Sequence, residues 1–173
     1  GASYKYWFLQ IGADGLNIPM TPTPFTLDGA NGKIFHHMSR VSTGVYQPSD
    51  SVRFGAGMQM FFFDTSTQGS IIAFDINAEI SVVENGFVFE MFGNAAVGNG
   101  SVVVKGVDFG KHSLVAATGY LGYNSIERHL IGDFNVTFNT APLLCAGGEM
   151  GIDIKPGQWS VYVGKREQPI FVD

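Results

Sequence analysis

The sequence has little charge, a single cysteine and no long uninterrupted apolar run. Charged residues make up 14% of its 173 positions, against roughly 25% in a typical soluble domain. The lone cysteine, Cys145, excludes an intrachain disulfide and a zinc site built from cysteines. No stretch approaches the ~18 consecutive apolar residues of a membrane-spanning helix. An integral helical membrane protein is therefore excluded, and we expect no membrane insertion.

Basic residues are scarce. Lysine and arginine total 10, whereas aspartate and glutamate total 15, which gives a formal net charge of −5. Nucleic-acid binding needs a basic surface, so we expect no nucleic-acid partner. The basic residues also form no cluster that would bind an anionic membrane surface.

The common fingerprints of catalysis and metal binding are also missing. There is no G-x-S-x-G elbow, no phosphate-binding glycine-rich loop with Lys-Ser/Thr, no H-E-x-x-H pair and no dinucleotide-binding glycine pattern. His36 and His37 are adjacent in a strand-like segment, where neighbouring side chains point to opposite faces and do not line one pocket together. We therefore expect no metal site and no cofactor.

Apolar residues and glycine are abundant instead. Hydrophobic residues make up 45% of the chain, with 15 phenylalanines and 23 glycines, and this content excludes disorder. A chain of this length forms one domain, which we assign to residues 1–173. Sequons at Asn99 and Asn135 permit a secreted protein without establishing one. The start at Gly1 instead of methionine indicates a processed or artificial end, so we expect that a native leader is missing.

Alternation of apolar and polar residues is the strongest structural signal. In the segment Ser70–Val83, the even positions from Ile72 onward are all apolar, and the odd positions include Asp75, Asn77, Glu79 and Ser81. This period of two predicts a long strand with one apolar face. Asn85-Gly86 follows, and this dipeptide is the strongest short signal for a hairpin turn.

Further strands are expected at short intervals along the chain. The candidates are Phe87–Phe92, Tyr4–Ile11, Gly32–Thr43, Val52–Asp64, Ser101–Val107, Leu114–Tyr120, Ile126–Phe138, Glu149–Ile154 and Trp159–Val163. Together they predict an all-β fold, a single antiparallel barrel of about eight to ten strands, with a jelly-roll sandwich as the alternative. Residues 12–28 contain three prolines, and we expect a loop or lid there, over one end of the barrel.

Several strands are apolar on both faces, and Met58–Phe63 is the clearest example. A strand of this kind needs two dry environments. One is the core or a ligand cavity, and the other is a subunit interface. With the low charge, this pattern predicts a homo-oligomer, either a dimer or a trimer.

Three acidic residues are the candidates for chemistry. Asp75 and Glu79 share one strand face, which is either a hydrated outer strip or a wall of the barrel lumen. In an apolar lumen, such carboxylates are suited to proton transfer. Glu90 lies among phenylalanine and methionine residues and is a third candidate. Arg40 is a candidate partner for a carboxylate or an anion.

The aromatic and methionine residues point to an apolar small-molecule ligand. The interior of a barrel of about eight strands can hold one small ligand, and apolar-ligand sites are walled by aromatic side chains with few polar groups. The residues expected to bind such a substrate are Arg40, Met58, Phe61, Phe63, Phe74 and Phe89.

The middle of the chain resembles the allene oxide cyclase and dirigent-like barrels. The likeness covers roughly residues 30–140 and rests on a glycine-then-aromatic strand, a long amphipathic strand and a late glycine-rich strand. These are Phe54–Asp64, Ile71–Val83 and Leu114–Gly122. The family's Gly-Gly-Thr-Gly turn is missing, and Phe109-Gly110-Lys111-His112 stands in its place, so no catalytic residue is transferred. The resemblance implies a small, secreted or organellar barrel and a cyclase or isomerase chemistry without a cofactor.

Three functions remain open from the sequence. The first is a cofactor-independent cyclase or isomerase that folds an apolar precursor in the lumen, with acid–base assistance from Asp75, Glu79 or Glu90. The second is a non-catalytic barrel that binds a lipid, a pigment or a glycan. The third is a structural jelly-roll domain of an assembly.

Overall fold

A computed structural model describes residues 5–42, 44–64, 70–99, 113–139, 145–164 and 171–172. Every regular element in these ranges is a β-strand. The strands are β1 (Trp7–Pro19), β2 (Phe25–His36), β3 (Met38–Ser42), β4 (Val45–Pro48), β5 (Val52–Asp64), β6 (Ser70–Val83), β7 (Gly86–Asn99), β8 (Ser113–Asn124), β9 (His129–Asn139), β10 (Cys145–Lys155), β11 (Gln158–Val163) and β12 (Phe171–Val172). The described ranges contain no helix that could cross a bilayer.

The main sheet is an antiparallel meander. Its strands lie in the order β1-β2-β5-β6-β7-β8-β9-β10-β11, and β12 pairs with β10 beyond the end of β11. β3 and β4 form a separate hairpin, inserted between β2 and β5. The predicted all-β, antiparallel architecture is confirmed. In the part of the chain that the structure describes, β1 and β11 remain the two edges of an open sheet.

The sequence located two central strands well and misplaced one loop. β5 and β6 have the predicted bounds, and Asn85 has the positive φ of 68° that a tight turn between β6 and β7 requires. The loop or lid expected over residues 12–28 is wrong, because β1 continues to Pro19 and β2 starts at Phe25. The prolines fall on the last residue of an edge strand and in the turn, where no ladder hydrogen bond is lost. The predicted strand Ser101–Val107 lies outside the described residues.

Period-two alternation gives the sheet two chemically distinct faces. We call the face that carries Asp75, Asn77 and Glu79 the polar face. Across the register, it also carries the residues paired with these three on β5 and β7, which are Phe61, Gln59, Gly57, Asn94, Phe92 and Glu90. The opposite, apolar face carries the even positions of β6, from Ile72 to Val82.

The apolar face is uncovered in the described chain. Among the described residues, only five hydrophobic residues are buried, Phe35, Met38, Val52, Ala73 and Ala96, whereas 22 large hydrophobic residues are exposed. Sixteen of the exposed residues lie on the apolar face: Trp7, Leu9, Ile11, Ile18, Ile34, Phe54, Met58, Ile80, Val82, Phe87, Phe138, Met150, Ile154, Trp159, Val161 and Val163. The chain exposes 11063 Å², against about 8,300 Å² expected for a folded monomer of this mass.

A small core lies at one end of the sheet, on the polar face. Phe35, Met38 and Val52 form it, and Tyr46 and Val83 pack against them. The β3–β4 hairpin folds over this end and supplies Met38 and Tyr46. Phe35 lies across Gly55 of the neighbouring strand, where a Cβ atom would be 2.1 Å from the phenyl ring.

Gly55→Ala should therefore displace Phe35 and loosen the hairpin. Overpacking of this kind costs about 1–3 kcal/mol, and we expect the melting temperature to fall. Gly32→Ala is the matched control, because a Cβ at Gly32 would meet only a backbone oxygen, at 3.9 Å. Thermal unfolding followed by circular dichroism measures both variants. Equal melting temperatures for the two would contradict the packing that we describe.

Candidate functional site

A half-open cavity of about 580 Å³ lies at the polar face. Three acidic residues line it, Asp75, Asp133 and Glu149, and Arg40 is the one cationic residue among the lining residues that the structure describes. The remaining wall is mostly amide, hydroxyl and aromatic: Gln59, Asn77, Phe92, Gly93, Asn94, Thr118, Gly119, Tyr120, Phe134 and Asn135. The cavity lining therefore combines four charged side chains and several amides with the rings of Phe92, Tyr120 and Phe134.

Glu79 is the centre of an ionic cluster at the hairpin end of the polar face. It is only 4% exposed. The Lys33 ammonium lies 3.0 Å from one Glu79 carboxylate oxygen, and Arg40 Nε lies 3.9 Å from the other. The Tyr46 hydroxyl donates a hydrogen bond of 2.5 Å to the same carboxylate. Burial of the Glu79 charge is thus offset by two cations and a hydroxyl donor.

Gly57, which has no side chain, leaves the space through which Lys33 reaches Glu79. On the sheet, Lys33 pairs with Gly57, and Gly57 pairs with Glu79. A Cβ at Gly57 would lie 2.5 Å from Lys33 Cε. The lysine side chain therefore crosses a whole strand through the space above this glycine.

Arg40 links Glu79 to Glu90 on the next strand. Its Nη2 donates to Glu90 Oε2 at 2.6 Å, and its guanidinium lies 4.2 Å from the centroid of the Phe92 ring. The Tyr120 hydroxyl donates to the other Glu90 oxygen at 3.3 Å. With Lys33, the cluster contains two carboxylates and two cations, so its formal charges cancel.

The Tyr46 hydroxyl of the cluster stays protonated. Burial raises the pKa of Tyr46, and the hydrogen bond to Glu79 and the charge of Glu79 raise it further. This hydroxyl therefore acts as a donor to the Glu79 carboxylate over the physiological pH range.

A second polar group lies at the far end of the cavity. The Tyr162 hydroxyl donates to Asp133 and lies 3.5 Å from a Glu149 oxygen. Tyr162 also crosses a glycine, Gly151, whose Cβ would be 2.2 Å from the hydroxyl. Between the two ends, Gln59 donates to both oxygens of Asp75, at 3.0 and 3.2 Å. Within the described residues, no three His, Cys, Asp or Glu side chains are placed to hold a metal ion.

The structure brings some predicted site residues together and separates others. Asp75, Glu79, Glu90 and Arg40 all lie at the polar face, and Arg40 contacts two of the carboxylates, as expected for a carboxylate partner. Phe61 and Phe63 share this face by register.

Met58, Phe74 and Phe89 lie on the apolar face, on the other side of the sheet from the acids. The reason is that successive side chains of a strand point to opposite faces. Phe89 immediately precedes Glu90, so the two side chains point in opposite directions. Of the three candidate acids, Asp75 lines the cavity, together with the rings of Phe92, Tyr120 and Phe134, whereas Glu79 and Glu90 belong to the ionic cluster beside it. The acid–base role of Asp75, Glu79 and Glu90 stays a prediction, and Glu79 already has three partners.

Several residues of the site were missed by the sequence. Asp133, Asn135 and Thr137 alternate with apolar residues in β9, and this is the same signal that identified β6. Lys33 and Tyr46 had no such signal, because only the strand register brings them to a carboxylate far away in the chain.

Searches against protein-family models, curated proteins and solved structures found no match to this chain. The resemblance to the allene oxide cyclase and dirigent-like barrels therefore stays a prediction from its sequence motifs.

The raised pKa of Tyr46 predicts a loss of stability in alkali. The unfolded chain ionises this tyrosine near its ordinary pKa of about 10, whereas the folded chain still holds the proton. The stabilisation of the folded chain by the retained Tyr46 proton is complete below pH ~10. It is lost as the pH rises toward the folded-state pKa, and the free energy of unfolding then falls by at most about 1.4 kcal/mol per pH unit. Urea unfolding between pH 8 and 11.5 should show a steeper loss for the parent than for Tyr46→Phe. Tyr6→Phe, at an exposed tyrosine, should follow the parent, and parallel curves for all three proteins would disprove the effect.

Proposed function

We propose that this chain is a membrane-embedded β-barrel protein whose polar lumen passes small hydrophilic solutes. One observation carries the proposal. Nine antiparallel strands place apolar side chains on one face and polar side chains on the other, and no described element covers the apolar face. Strands of transmembrane barrels alternate in this way, with the apolar side toward lipid and the polar side toward a water-filled interior.

The near absence of charge on the apolar face supports lipid as its occupant. Among the described sheet residues paired on this face, there is no lysine, arginine or glutamate, and the one aspartate is Asp64, at the end of β5 and 3% exposed. A sheet facing water carries charges at many such positions.

The height of the apolar face matches a bilayer. Ile72 and Val82 are the first and last apolar residues on this face of β6, ten positions apart. Ten residues of antiparallel strand span about 34 Å. At the usual tilt of about 40°, this corresponds to a band of about 26 Å, close to the ~25 Å apolar band of outer-membrane-type barrels.

Aromatic side chains mark one rim of that band. Trp7, His36, Phe54, Phe87, Tyr123 and Trp159 lie on or next to the last row of the apolar face, beside the turns that join β6 to β7 and β10 to β11. Both tryptophans of the chain are in this set, 44% and 78% exposed. Tryptophan and tyrosine concentrate at membrane–water interfaces, where the ring meets the head groups.

Closure into a barrel would join the edges β1 and β11. Counting along the meander, these two strands run in the same direction, so the seam of a closed monomer is parallel. Barrels with an odd number of strands exist. In a homo-oligomer of the predicted kind, the same edges would pair between copies. Either route removes the unpaired edge groups that cannot exist in hydrocarbon.

This proposal departs from the expectation of no membrane insertion. That expectation rested on the length of apolar runs and on dispersed basic residues. Neither criterion bears on strands, which expose only every second residue to lipid. The cyclase hypothesis receives no comparable support, because three of the six expected substrate-binding residues, Met58, Phe74 and Phe89, lie on the opposite face from the acids.

A lysine on the apolar face should prevent membrane insertion, whereas the same lysine on the polar face should not. Met58 and Gln59 are consecutive residues near the middle of β5 and point to opposite faces. A lysine facing lipid at mid-bilayer costs about 2–4 kcal/mol. We expect the parent and Gln59→Lys to float with phosphatidylcholine vesicles in a density gradient, and Met58→Lys to stay at the bottom. If the parent remains in the aqueous fraction as a stable dimer or trimer, a second copy covers the apolar face and the proposal is wrong.

The lumen should conduct, with a preference for cations. Among the described residues at and beside the cavity, the five acids Asp75, Glu79, Glu90, Asp133 and Glu149 outnumber the two cations Lys33 and Arg40, so this part of the interior has excess negative charge. Rings of acidic side chains favour cations in pores. In planar bilayers with a KCl gradient, the reversal potential should have the sign of a cation-selective channel. A bilayer containing the inserted protein that shows no conductance would overturn the pore function.

A further inference from the structure

We propose that Arg40, carried into the lumen by the β3–β4 hairpin, is a selectivity-determining residue of the pore. This inference rests on the proposed function, because it concerns the same lumen. It adds that the hairpin is an internal constriction and that its arginine reduces the cation preference of an otherwise acidic passage.

The hairpin is built to remain over the polar face. Its two ends are side by side, since the Ser49 amide donates to the His37 carbonyl at 2.9 Å. Met38 is buried in the small core with Phe35 and Val52. The Tyr46 ring packs against Phe35, with ring centroids 5.0 Å apart. These contacts hold the hairpin against the inner wall of the sheet and not over its outer surface.

Arg40 and Tyr46 face each other on the hairpin, and both side chains reach carboxylates on the polar face of the sheet. The two residues are paired across β3 and β4. Tyr46 donates to Glu79, and Arg40 reaches past it to Glu90 on the next strand. Val41 and Val45, beside them, are each 51% exposed. The hairpin thus occupies space that solutes would otherwise use.

Removing the Arg40 charge would affect Glu90 more than Glu79. Glu79 keeps Lys33 at 3.0 Å and Tyr46 at 2.5 Å. Glu90 keeps only the hydroxyl of Tyr120, at 3.3 Å, as a described partner. The Glu90 side chain is also 29% exposed, whereas that of Glu79 is 3% exposed. A neutral residue at position 40 therefore leaves an uncompensated carboxylate beside the cavity, which strengthens cation preference.

The test is the permeability ratio of K⁺ to Cl⁻ in planar bilayers, measured from the reversal potential in a KCl gradient. Arg40→Gln should raise this ratio by about twofold or more, and Arg40→Lys should keep it near the parent value. Arg53→Gln is the matched control. Arg53 forms an exposed pair with Glu84 at 3.6 Å, in which the side chains are 63% and 76% exposed, outside the cavity lining.

A second variant replaces residues 38–48 by two glycines, which the adjacent positions of His37 and Ser49 allow. It should raise the single-channel conductance, because it removes the hairpin from the lumen. It also keeps the inference testable if Arg40→Gln fails to insert in vesicles.

The outcomes separate the two proposals. A conducting parent whose ion selectivity is unchanged in Arg40→Gln, and whose conductance is unchanged without the hairpin, would overturn the role of Arg40 and leave the pore standing. A parent that inserts without conducting would overturn both proposals. A higher K⁺ preference in Arg40→Gln alone, with Arg40→Lys and Arg53→Gln at the parent value, supports the inference.

Discussion

The fold depends on one constraint, the strict alternation of side-chain direction along paired strands. Once β6 places Asp75, Asn77 and Glu79 on one side, the register fixes which face every residue of the neighbouring strands occupies. Across nine strands, the result is a sheet with one apolar face and one polar face. A slip of one residue in any strand would exchange its two faces, which would place charged groups among the apolar ones.

Glycines on the polar face allow polar side chains on non-adjacent strands to contact each other. Gly57 leaves space for Lys33 to reach Glu79, and Gly151 does the same for Tyr162 and Asp133. Each glycine lies between two polar residues that belong to next-nearest strands, so pairs form at a distance that ordinary cross-strand neighbours would block. Buried charge is tolerated here because every carboxylate in the cluster has a cation or hydroxyl partner. A cluster that left one buried carboxylate without a partner would destabilise the fold more than the absence of the whole cluster would.

The sequence predicted what depends on local pattern and missed what depends on register. The bounds of β5 and β6 and the turn at Asn85 follow from residues that are neighbours in the chain. Arg40 was a sound candidate for a carboxylate partner, because an arginine in a strand so poor in charge needs one. Lys33 and Tyr46 could not be assigned, since three strands must align before either reaches Glu79. Met58, Phe74 and Phe89 lie on the far side of the sheet from the acids, because residues next to an acid in a strand point away from it.

The free edge of β1 has a consequence for how such a chain reaches its final state. Thirteen residues of extended backbone end the sheet there, next to an apolar face that no other described element covers. In water, such an edge recruits any other strand that it meets, including its own copies. In the proposed membrane barrel, completion of the sheet and burial of its apolar face would therefore happen together, in the bilayer. Before insertion, the open edge and the uncovered apolar face would favour aggregation.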